Sequence, residues 1–469
     1  MTYRTTITLL ALLLFTVDGN AQFTQCTDAN DREELIRSQC ASVKAQLDYK
    51  PDSNASINLF VRKFPAIKKR QGSIWLIAGG PGESGASFYP LIELFSQTFP
   101  HLDILIPDHR GTGLSGKICP KEESIDSTNG IALGNDEWGS CFGQMYSNTS
   151  YVKAFSITNA AKDLRFLMNT VSGDGKRYVY GVSYGTQLIL RLLQLENTEI
   201  DGVILDSLVP LQDDDQYDLS HRSFVVNDVG SSVLSHFDGL TNTNKTTLAT
   251  QLKNSIQKAK EDLSFAKKLP KQELSILMGM MLDIPEVRAT IPAVIRGLSN
   301  NNFEPLNKSI AQIQNFYANY GSGFKTLPSS IPLVQVISAS ENNLRPTLKP
   351  EEVVKESEDL IFTSNLAKLL AENSMPTYKA DTYFGKVPKK MPPMLIFHGT
   401  LDPKTHITGA IRHIEKLPKE NIVRLIKVKD APHFIALFAP KSFTRITSKF
   451  MRGKRIKNKT VHDANTLLQ

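Results

Sequence analysis

The sequence predicts an α/β protein with a mainly parallel sheet, helices on both faces of that sheet and an inserted helical cap. Short apolar runs, typical of strands buried on both faces, occur at residues 73–78, 102–107, 202–206, 394–397 and 422–428. Helical patterns alternate with these runs, as expected of a parallel sheet. From residue 208 to 387 the pattern is helical and too apolar for a disordered linker. We therefore expect a core in two parts, residues 22–207 and 388–469, with a cap from 208 to 387.

The other elements follow from shorter patterns along the chain. Strands are expected at residues 45–51 and 56–64, the second because apolar residues alternate in it. Helices are expected at 88–95, 160–171, 252–267, 272–282, 351–373 and 405–417, and after Lys441. Residues 117–150 are expected to form a long polar loop.

The first 21 residues have the layout of a secretory signal peptide. Arg4 precedes an apolar run at residues 7–17, and residues 19–21 offer a small-residue cleavage site. The run is too short to span a bilayer, although an uncleaved anchor is an alternative. No later stretch is long and apolar enough for stable membrane insertion. The expected location is therefore outside the cell or in the lysosomal or vacuolar lumen.

Cysteines and glycosylation sequons fit a secreted chain. The four cysteines allow three pairings, of which the two local ones, Cys26–Cys40 and Cys119–Cys141, are favoured. Five N-x-S/T sequons predict surface glycosylation sites, at Asn54, Asn148, Asn244, Asn307 and Asn458.

The formal net charge of +7 does not indicate a nucleic-acid-binding protein. Part of the charge lies in a C-terminal tail, interpreted as solvated, that contains Arg452, Lys454, Arg455, Lys457 and Lys459. Binding to an acidic surface is the alternative for this tail. No nucleic-acid-binding signature, phosphate-binding loop or metal-ligand spacing occurs, so neither a cofactor nor a metal is expected.

The pentapeptide G-V-S-Y-G at residues 181–185 predicts a catalytic serine. A β-prone stretch precedes it and a helical stretch follows it, which is the context of a nucleophile elbow. Ser183 would then be exposed at the carboxyl end of a strand, against the positive end of a helix. A glycine-rich turn that carries a serine by accident is the alternative.

A serine hydroxyl needs a histidine base, which a carboxylate must orient. His433 follows the last strand in a loop, whereas His406 and His413 fall on a helix and His462 lies in the polar tail. Asp402 follows the penultimate strand and is the expected acid, with Asp206 as the alternative. The backbone N–H groups of Tyr184 and Gly80 are the expected donors of an oxyanion hole, Gly80 because Pro81 has no N–H. The string from Asp108 to Ser115 is interpreted as a turn with a buried charge that ties two loops together.

Four motifs together resemble the proline iminopeptidase and tripeptidyl aminopeptidase family. They are G-G-P-G at 79–82, D-H-R-G-T-G-L-S at 108–115, Y-G-V-S-Y-G-T at 180–186 and H-G-T-L-D-P at 398–403. The form G-x-S-Y-G-T and the cysteine-bearing loop favour the tripeptidyl aminopeptidase branch. Many relatives have a histidine before G-G-P-G, where this chain has Ala78.

The resemblance implies an α/β-hydrolase fold and a serine exopeptidase that removes residues from free peptide N-termini. It also implies that carboxylates in or near the cap bind the substrate ammonium group. Glu341 resembles such a position, and Glu83 lies beside the oxyanion loop; an exposed surface position is the alternative for each. The competing functions are an esterase or lipase on the same scaffold and a non-catalytic binding protein.

Overall fold

A computed structural model describes residues 22–51, 53–125, 127, 135–195, 198–241, 246–270, 273–320, 323–419 and 422–468. The predicted signal peptide and the sequon residue Asn244 lie outside these ranges.

Within these ranges, ten strands form one sheet. They are β1 (Thr24–Gln25), β2 (Gln39–Gln46), β3 (Ser56–Phe64), β4 (Gly72–Ile77), β5 (Leu102–Asp108), β6 (Lys176–Val182), β7 (Gly202–Asp206), β8 (Met394–Gly399), β9 (Val423–Val428) and β10 (Lys459–Val461). Their order in space is β1-β2-β3-β5-β4-β6-β7-β8-β9-β10. Strands β1, β2, β3 and β5 pair antiparallel, and every pairing from β5 through β4 to β10 is parallel. The mainly parallel sheet is therefore confirmed.

The helices of the described residues fall into a core set and a set between β7 and β8. The core set is α1 (Ile92–Thr98), α2 (Asn135–Ser147), α3 (Thr149–Lys153), α4 (Ile157–Val171), α5 (Tyr184–Gln194), α16 (Ile407–Lys416), α17 (Ile435–Phe438) and α18 (Pro440–Met451). The second set is α6 (Arg222–Thr241), α7 (Leu248–Glu261), α8 (Leu263–Ala266), α9 (Leu274–Met280), α10 (Pro285–Arg288), α11 (Ile291–Ser299), α12 (Glu304–Asn319), α13 (Ile331–Glu341), α14 (Pro350–Ser357) and α15 (Leu366–Ala371). Short 3-10 turns occur at Glu33–Leu35, Gly85–Leu91 and Leu219–His221.

Apolar packing covers both faces of the sheet and fills the cap. Within β4, Trp75 packs on the face covered by α4 and α5, whereas Leu76 packs on the face covered by α1 and α18. A third apolar cluster lies within the helices between β7 and β8, which we call the cap. A strand buried on both faces explains why β4 has no polar alternation in its sequence.

Several expected elements are placed differently in the structure. The first long strand is β2, and not residues 45–51. Its buried residues Ala41, Val43 and Ala45 alternate with exposed ones, but two of the three are alanines, so the hydrophobic alternation in the sequence is weak. Residues 117–150 are not all loop: α2 contains Gly139 and Gly143, which lower helix propensity and made the segment look irregular.

Further corrections concern the cap and the C-terminus. Two helices, α14 and α15, replace the single helix expected at 351–373, and Asp262 separates α7 from α8 by capping the latter. The basic tail is exposed at its five charged residues, but it also adds the parallel strand β10 beside β9.

Candidate active site

Ser183 lies on a strained turn at the carboxyl end of β6. Its backbone has φ 54° and ψ −126°, a region that costs a non-glycine residue about 1–3 kcal/mol. Helix α5 begins at the next residue, so Ser183 is directed at the positive end of the helix dipole. The predicted strand–turn–helix context is therefore present in the structure.

Both glycines of the pentapeptide are required by close backbone approach. A Cβ atom on Gly185 would lie 2.3 Å from the carbonyl oxygen of Ile77, and one on Gly181 would lie 2.7 Å from the carbonyl oxygen of Gly185. Any side chain at these positions would push α5 away from the sheet and shift Ser183.

His433 and Asp402 are hydrogen-bonded to each other. His433 Nδ1 lies 2.8 Å from Asp402 Oδ2, and the Asp402 side chain is fully buried. The backbone N–H groups of Lys404 and Thr405 donate to Asp402 Oδ1, each at 2.8 Å. Burial raises the pKa of Asp402, but the charge of His433 and these hydrogen bonds outweigh burial and hold that pKa well below its ordinary value. An ionised Asp402 accepts a hydrogen bond from the Nδ1–H group of His433, which leaves Nε2 free to act as a base.

Thr405 is a member of this group that the sequence did not reveal. Its hydroxyl donates to Asp402 Oδ2 at 2.7 Å and also lies 3.3 Å from His433 Nδ1. His398 Nε2 in turn lies 2.6 Å from the Thr405 carbonyl oxygen. The one available signal was the spacing, since Thr405 follows Asp402 by three residues on the same turn.

Asp206, the alternative acid, has a different set of partners. Its carboxylate accepts the hydroxyl of Tyr180 and the backbone N–H groups of Ile435 and Ala436, each at 2.8 Å. It therefore fixes the start of α17, directly after His433, against β7. This geometry favours Asp402 as the partner of His433.

The two expected oxyanion donors line one cleft together with Ser183. This cleft is lined by Gly80, Ser183, Tyr184, Gln187, Arg222 and Lys404, among others. Within the described residues, no acceptor receives the backbone N–H of Gly80 or Tyr184. Gly80 has φ 108°, and a Cβ atom there would lie 2.1 Å from the Gly82 nitrogen, so only glycine fits.

The cap helps to position the oxyanion loop. The N–H of Ser84 donates to the carbonyl of Pro328 at 3.0 Å, and the N–H of Ser330 donates to the carbonyl of Gly82 at 2.9 Å. Two backbone hydrogen bonds therefore join the cap to the loop that contains Gly80.

The hydroxyl of Ser183 forms no hydrogen bond, to His433 or to any other group, among the described residues. Catalytic contacts often tighten only when substrate binds, so this geometry fits an open site. Backbone strain also clusters here. Of the five described non-glycine residues with positive φ, four follow strands β6, β7 and β9: Ser183, Ser207, Asp430 and Phe434.

Glu341 is a buried carboxylate and not the exposed surface residue that was the alternative, since only 2% of its surface is accessible. Its Oε2 accepts from Arg191 Nη2 at 3.0 Å and from Gln212 Nε2 at 2.9 Å, and its Oε1 accepts from the Tyr378 hydroxyl at 2.8 Å. Because Arg191 already neutralises this carboxylate, an ammonium group would have to displace the arginine.

Glu83 is half-buried beside the oxyanion loop. A Cβ atom on Gly79 would lie 3.0 Å from Glu83 Oε2 and 3.1 Å from Ser183 Cβ, so the carboxylate and the serine flank the same glycine. Burial raises the pKa of Glu83, and that rise is opposed first by hydrogen bonding with Ser87 and then by the positive charges of Lys404 and His433. No ion pair engages this carboxylate within the part of the chain that the structure describes.

The D-H-R-G string holds a buried ion pair. Arg110 donates to both carboxylate oxygens of Asp163 at 2.7 Å and to the carbonyls of Leu47 and Ala154. Asp108 accepts from the backbone of Gly85 and Leu114, so the string ties neighbouring loops together.

The structure contains both expected disulfides, Cys26–Cys40 and Cys119–Cys141. Of the sequon residues, Asn54, Asn148, Asn307 and Asn458 are exposed; glycosylation remains a prediction. Among the described residues, the one grouping of potential metal ligands is Cys26, Asp28 and Cys40, whose two sulfurs are bonded to each other. No helix of the described ranges is long and apolar enough to cross a bilayer.

Comparisons with known proteins agree with this architecture. The family model for the alpha/beta hydrolase fold matches residues 73–440. Serine protease Hip1 of Mycobacterium tuberculosis (strain ATCC 25618 / H37Rv) is 26% identical over 208 residues, and Hip1 of Mycobacterium bovis gives the same values. The match covers 40% of this chain and only 39% of Hip1.

Solved structures include proline iminopeptidase of Mycobacterium smegmatis, at 10% identity and a TM-score of 0.41 over 87% of this chain and 98% of that one. A thermophilic esterase of Thermogutta terrifontis has 13% identity and a TM-score of 0.36 over 88% of this chain and 98% of that one. At such scores these likenesses carry no information on activity. The family match over most of the sequence, with the parallel sheet and the turn at Ser183, establishes that the chain belongs to the alpha/beta hydrolase fold family.

Proposed function

We propose that this protein is a serine exopeptidase that cleaves residues or short peptides from free peptide N-termini. Ser183 is the nucleophile, His433 the general base and Asp402 the residue that orients the base. The observation that carries the proposal is the 2.8 Å contact between His433 and Asp402, at the sheet edge where Ser183 occupies its strained turn. The N–H groups of Gly80 and Tyr184 would stabilise the tetrahedral oxyanion.

Glu83 is the carboxylate that best fits the substrate ammonium group. It flanks Gly79 opposite Ser183 and has no ion pair among the described residues, whereas Glu341 is paired with Arg191. A half-buried carboxylate binds an ammonium group through charge-assisted hydrogen bonds, which are about twice as strong as neutral ones. The partial match to a serine protease and the two disulfides support a peptidase that acts outside the cytoplasm, secreted or in a lysosomal or vacuolar lumen.

A carboxylesterase or lipase is the second candidate. It needs only the triad and the oxyanion hole, and the engagement of Glu341 by Arg191 removes one of the two expected ammonium ligands.

The test is a matched panel of peptide amides with free or acetylated N-termini and of short-chain p-nitrophenyl esters. Acetylation is expected to lower kcat/KM about 100-fold or more, a loss of roughly 3 kcal/mol. Ser183→Ala should abolish turnover of every substrate, which assigns the activity to this site. Equal cleavage of free and acetylated peptides would contradict the exopeptidase assignment, and turnover of esters alone would establish the esterase.

A further inference from the structure

The cleft beside Ser183 contains three charged side chains, and two of them are already engaged. Asp218 accepts from the backbone N–H and the hydroxyl of Ser220, from the N–H of Leu344 and from the ring of His221. Both carboxylate oxygens of Asp218 accept hydrogen bonds from cap residues, so neither is free to bind substrate.

Lys404 is the second charged group of the cleft. Its ammonium lies 3.2 Å from Asp283 Oδ2, and the Tyr317 hydroxyl lies 3.3 Å from the same oxygen. Burial lowers the pKa of Lys404, but the charge of Asp283 outweighs burial and raises that pKa above its ordinary value. Lys404 is therefore a cation that already has a counter-ion.

Arg222 is the third charged group, and it has neither a hydrogen bond nor an ion pair within the described part of the chain. Burial lowers the pKa of its guanidinium, with the more distant charges of Asp402 and Asp283 opposing that shift. It is the first residue of α6, a 20-residue helix whose first turn has no acidic residue. A cation at a helix N-terminus costs about 0.3–1 kcal/mol, so helix stability does not explain an arginine there.

We propose that Arg222 binds a carboxylate of the substrate and makes the enzyme selective for peptides with that group close to the scissile bond. A guanidinium presents a planar pair of donors that matches a carboxylate, and Arg222 lines the cleft that contains Ser183 without a hydrogen-bond partner among the described residues. Asp402 is hydrogen-bonded to His433 and Thr405, so it does not compete with a substrate carboxylate for Arg222. The inference rests on the proposed function and adds the substrate class.

The carboxylate has two possible sources, an acidic side chain or the C-terminal carboxylate of a short peptide. The peptide series therefore has two arms, both with free N-termini. The first compares Glu with Gln at each of the first four positions in peptides with amidated C-termini. The second compares dipeptides, tripeptides and tetrapeptides that have a free carboxylate with their amides. An ester arm compares p-nitrophenyl adipate half-ester with p-nitrophenyl hexanoate.

The unmodified enzyme is expected to prefer one carboxylate series over its neutral partner by about 10- to 100-fold in kcat/KM, the range for one charge-assisted contact. Arg222→Met should bring the ratio of kcat/KM between the carboxylate and neutral substrates close to one. Arg222→Lys should restore part of that ratio, because a lysine keeps the positive charge but lacks the planar pair of donors. Arg296→Met, at an exposed arginine of α11, is the matched control and should keep the full ratio.

The outcomes separate this inference from the proposed function. Neutral peptides cleaved with no carboxylate preference in any arm would overturn the role of Arg222 and leave the peptidase intact. A preference that Arg222→Met does not reduce would also overturn it. Esters that show the preference while no peptide is cleaved would confirm the carboxylate subsite and contradict the exopeptidase.

Discussion

Replacing Glu341 by glutamine separates a structural role of this residue from a role in binding substrate. The substitution keeps the shape of the side chain and removes its negative charge. Arg191, whose side chain is 2% exposed, then loses its closest carboxylate and keeps Asp381 at 3.5 Å and the amide oxygen of Gln212 at 2.9 Å.

The magnitude follows from the burial of both partners. Removing one partner of a buried ion pair costs about 3–5 kcal/mol, because the other charge is left uncompensated. Asp381 offsets part of this cost, although its side chain is 37% exposed and therefore screened. The new amide group must also turn its NH₂ toward the hydroxyl of Tyr378 or toward Gln212, which adds a lost hydrogen bond of about 1 kcal/mol. We expect the free energy of unfolding to fall by about 3 kcal/mol.

The assay is urea unfolding of the unmodified protein, Glu341→Gln, Arg191→Met and the double variant Arg191→Met with Glu341→Met. The double variant should be more stable than either single variant, since it leaves neither charge buried alone. The preference for free over acetylated peptides should remain in Glu341→Gln. Unchanged stability together with a selective loss of that preference would refute this reasoning and make Glu341 the ammonium ligand.

Three further predictions concern residues around the site. Thr405→Val should lower kcat about tenfold, because Asp402 then loses a hydrogen bond that holds it in place to orient His433. Thr405→Ser should restore kcat, and an unchanged kcat in Thr405→Val would contradict this role. Because the native pKa of Asp402 is lowered, its stabilising contribution should be present above the unfolded pKa of about 3.9 and be lost as pH falls toward the native value. The free energies of unfolding of the unmodified protein and of Asp402→Asn, measured with urea at decreasing pH, should therefore converge in acid. Arg110→Met should cost about 3–5 kcal/mol of stability, measured by urea unfolding, because Asp163 stays buried; a loss confined to kcat would instead place Arg110 in catalysis.

The sequence predicted the parts of the molecule in which one local pattern determines the structure. Buried parallel strands are short apolar runs, so β7 was placed at its observed bounds. The turn at Ser183 requires small residues on both sides, and the structure shows the close contacts that exclude larger ones. Their positions directly after the last two predicted strands pointed to Asp402 and His433, whose side chains the structure brings to 2.8 Å.

The sequence did not reveal features that depend on which segments pack together. Nothing local to Glu341 shows that Arg191, 150 positions earlier, lies against it. Helix α2 has two glycines, and a disulfide to Cys119 holds it in place instead of strong helix propensity. Within the cap the sequence predicted helices at 252–267, 272–282 and 351–373 but not their breaks, since the joints between cap helices have no distinctive spacing.

The electrostatics of the site suggest how one cleft could both perform acyl transfer and select its substrate. Asp402, Asp218 and Lys404 are engaged by hydrogen bonds or counter-ions, so each costs little to keep near a substrate. Glu83 and Arg222 have no ion pair among the described residues. An unpaired, partly buried charge is unfavourable for folding, and binding a substrate group of opposite charge would remove that cost only when the matching group is present. Selectivity for a peptide with an ammonium group and a carboxylate would therefore arise from the rejection of substrates that leave either residue unpaired.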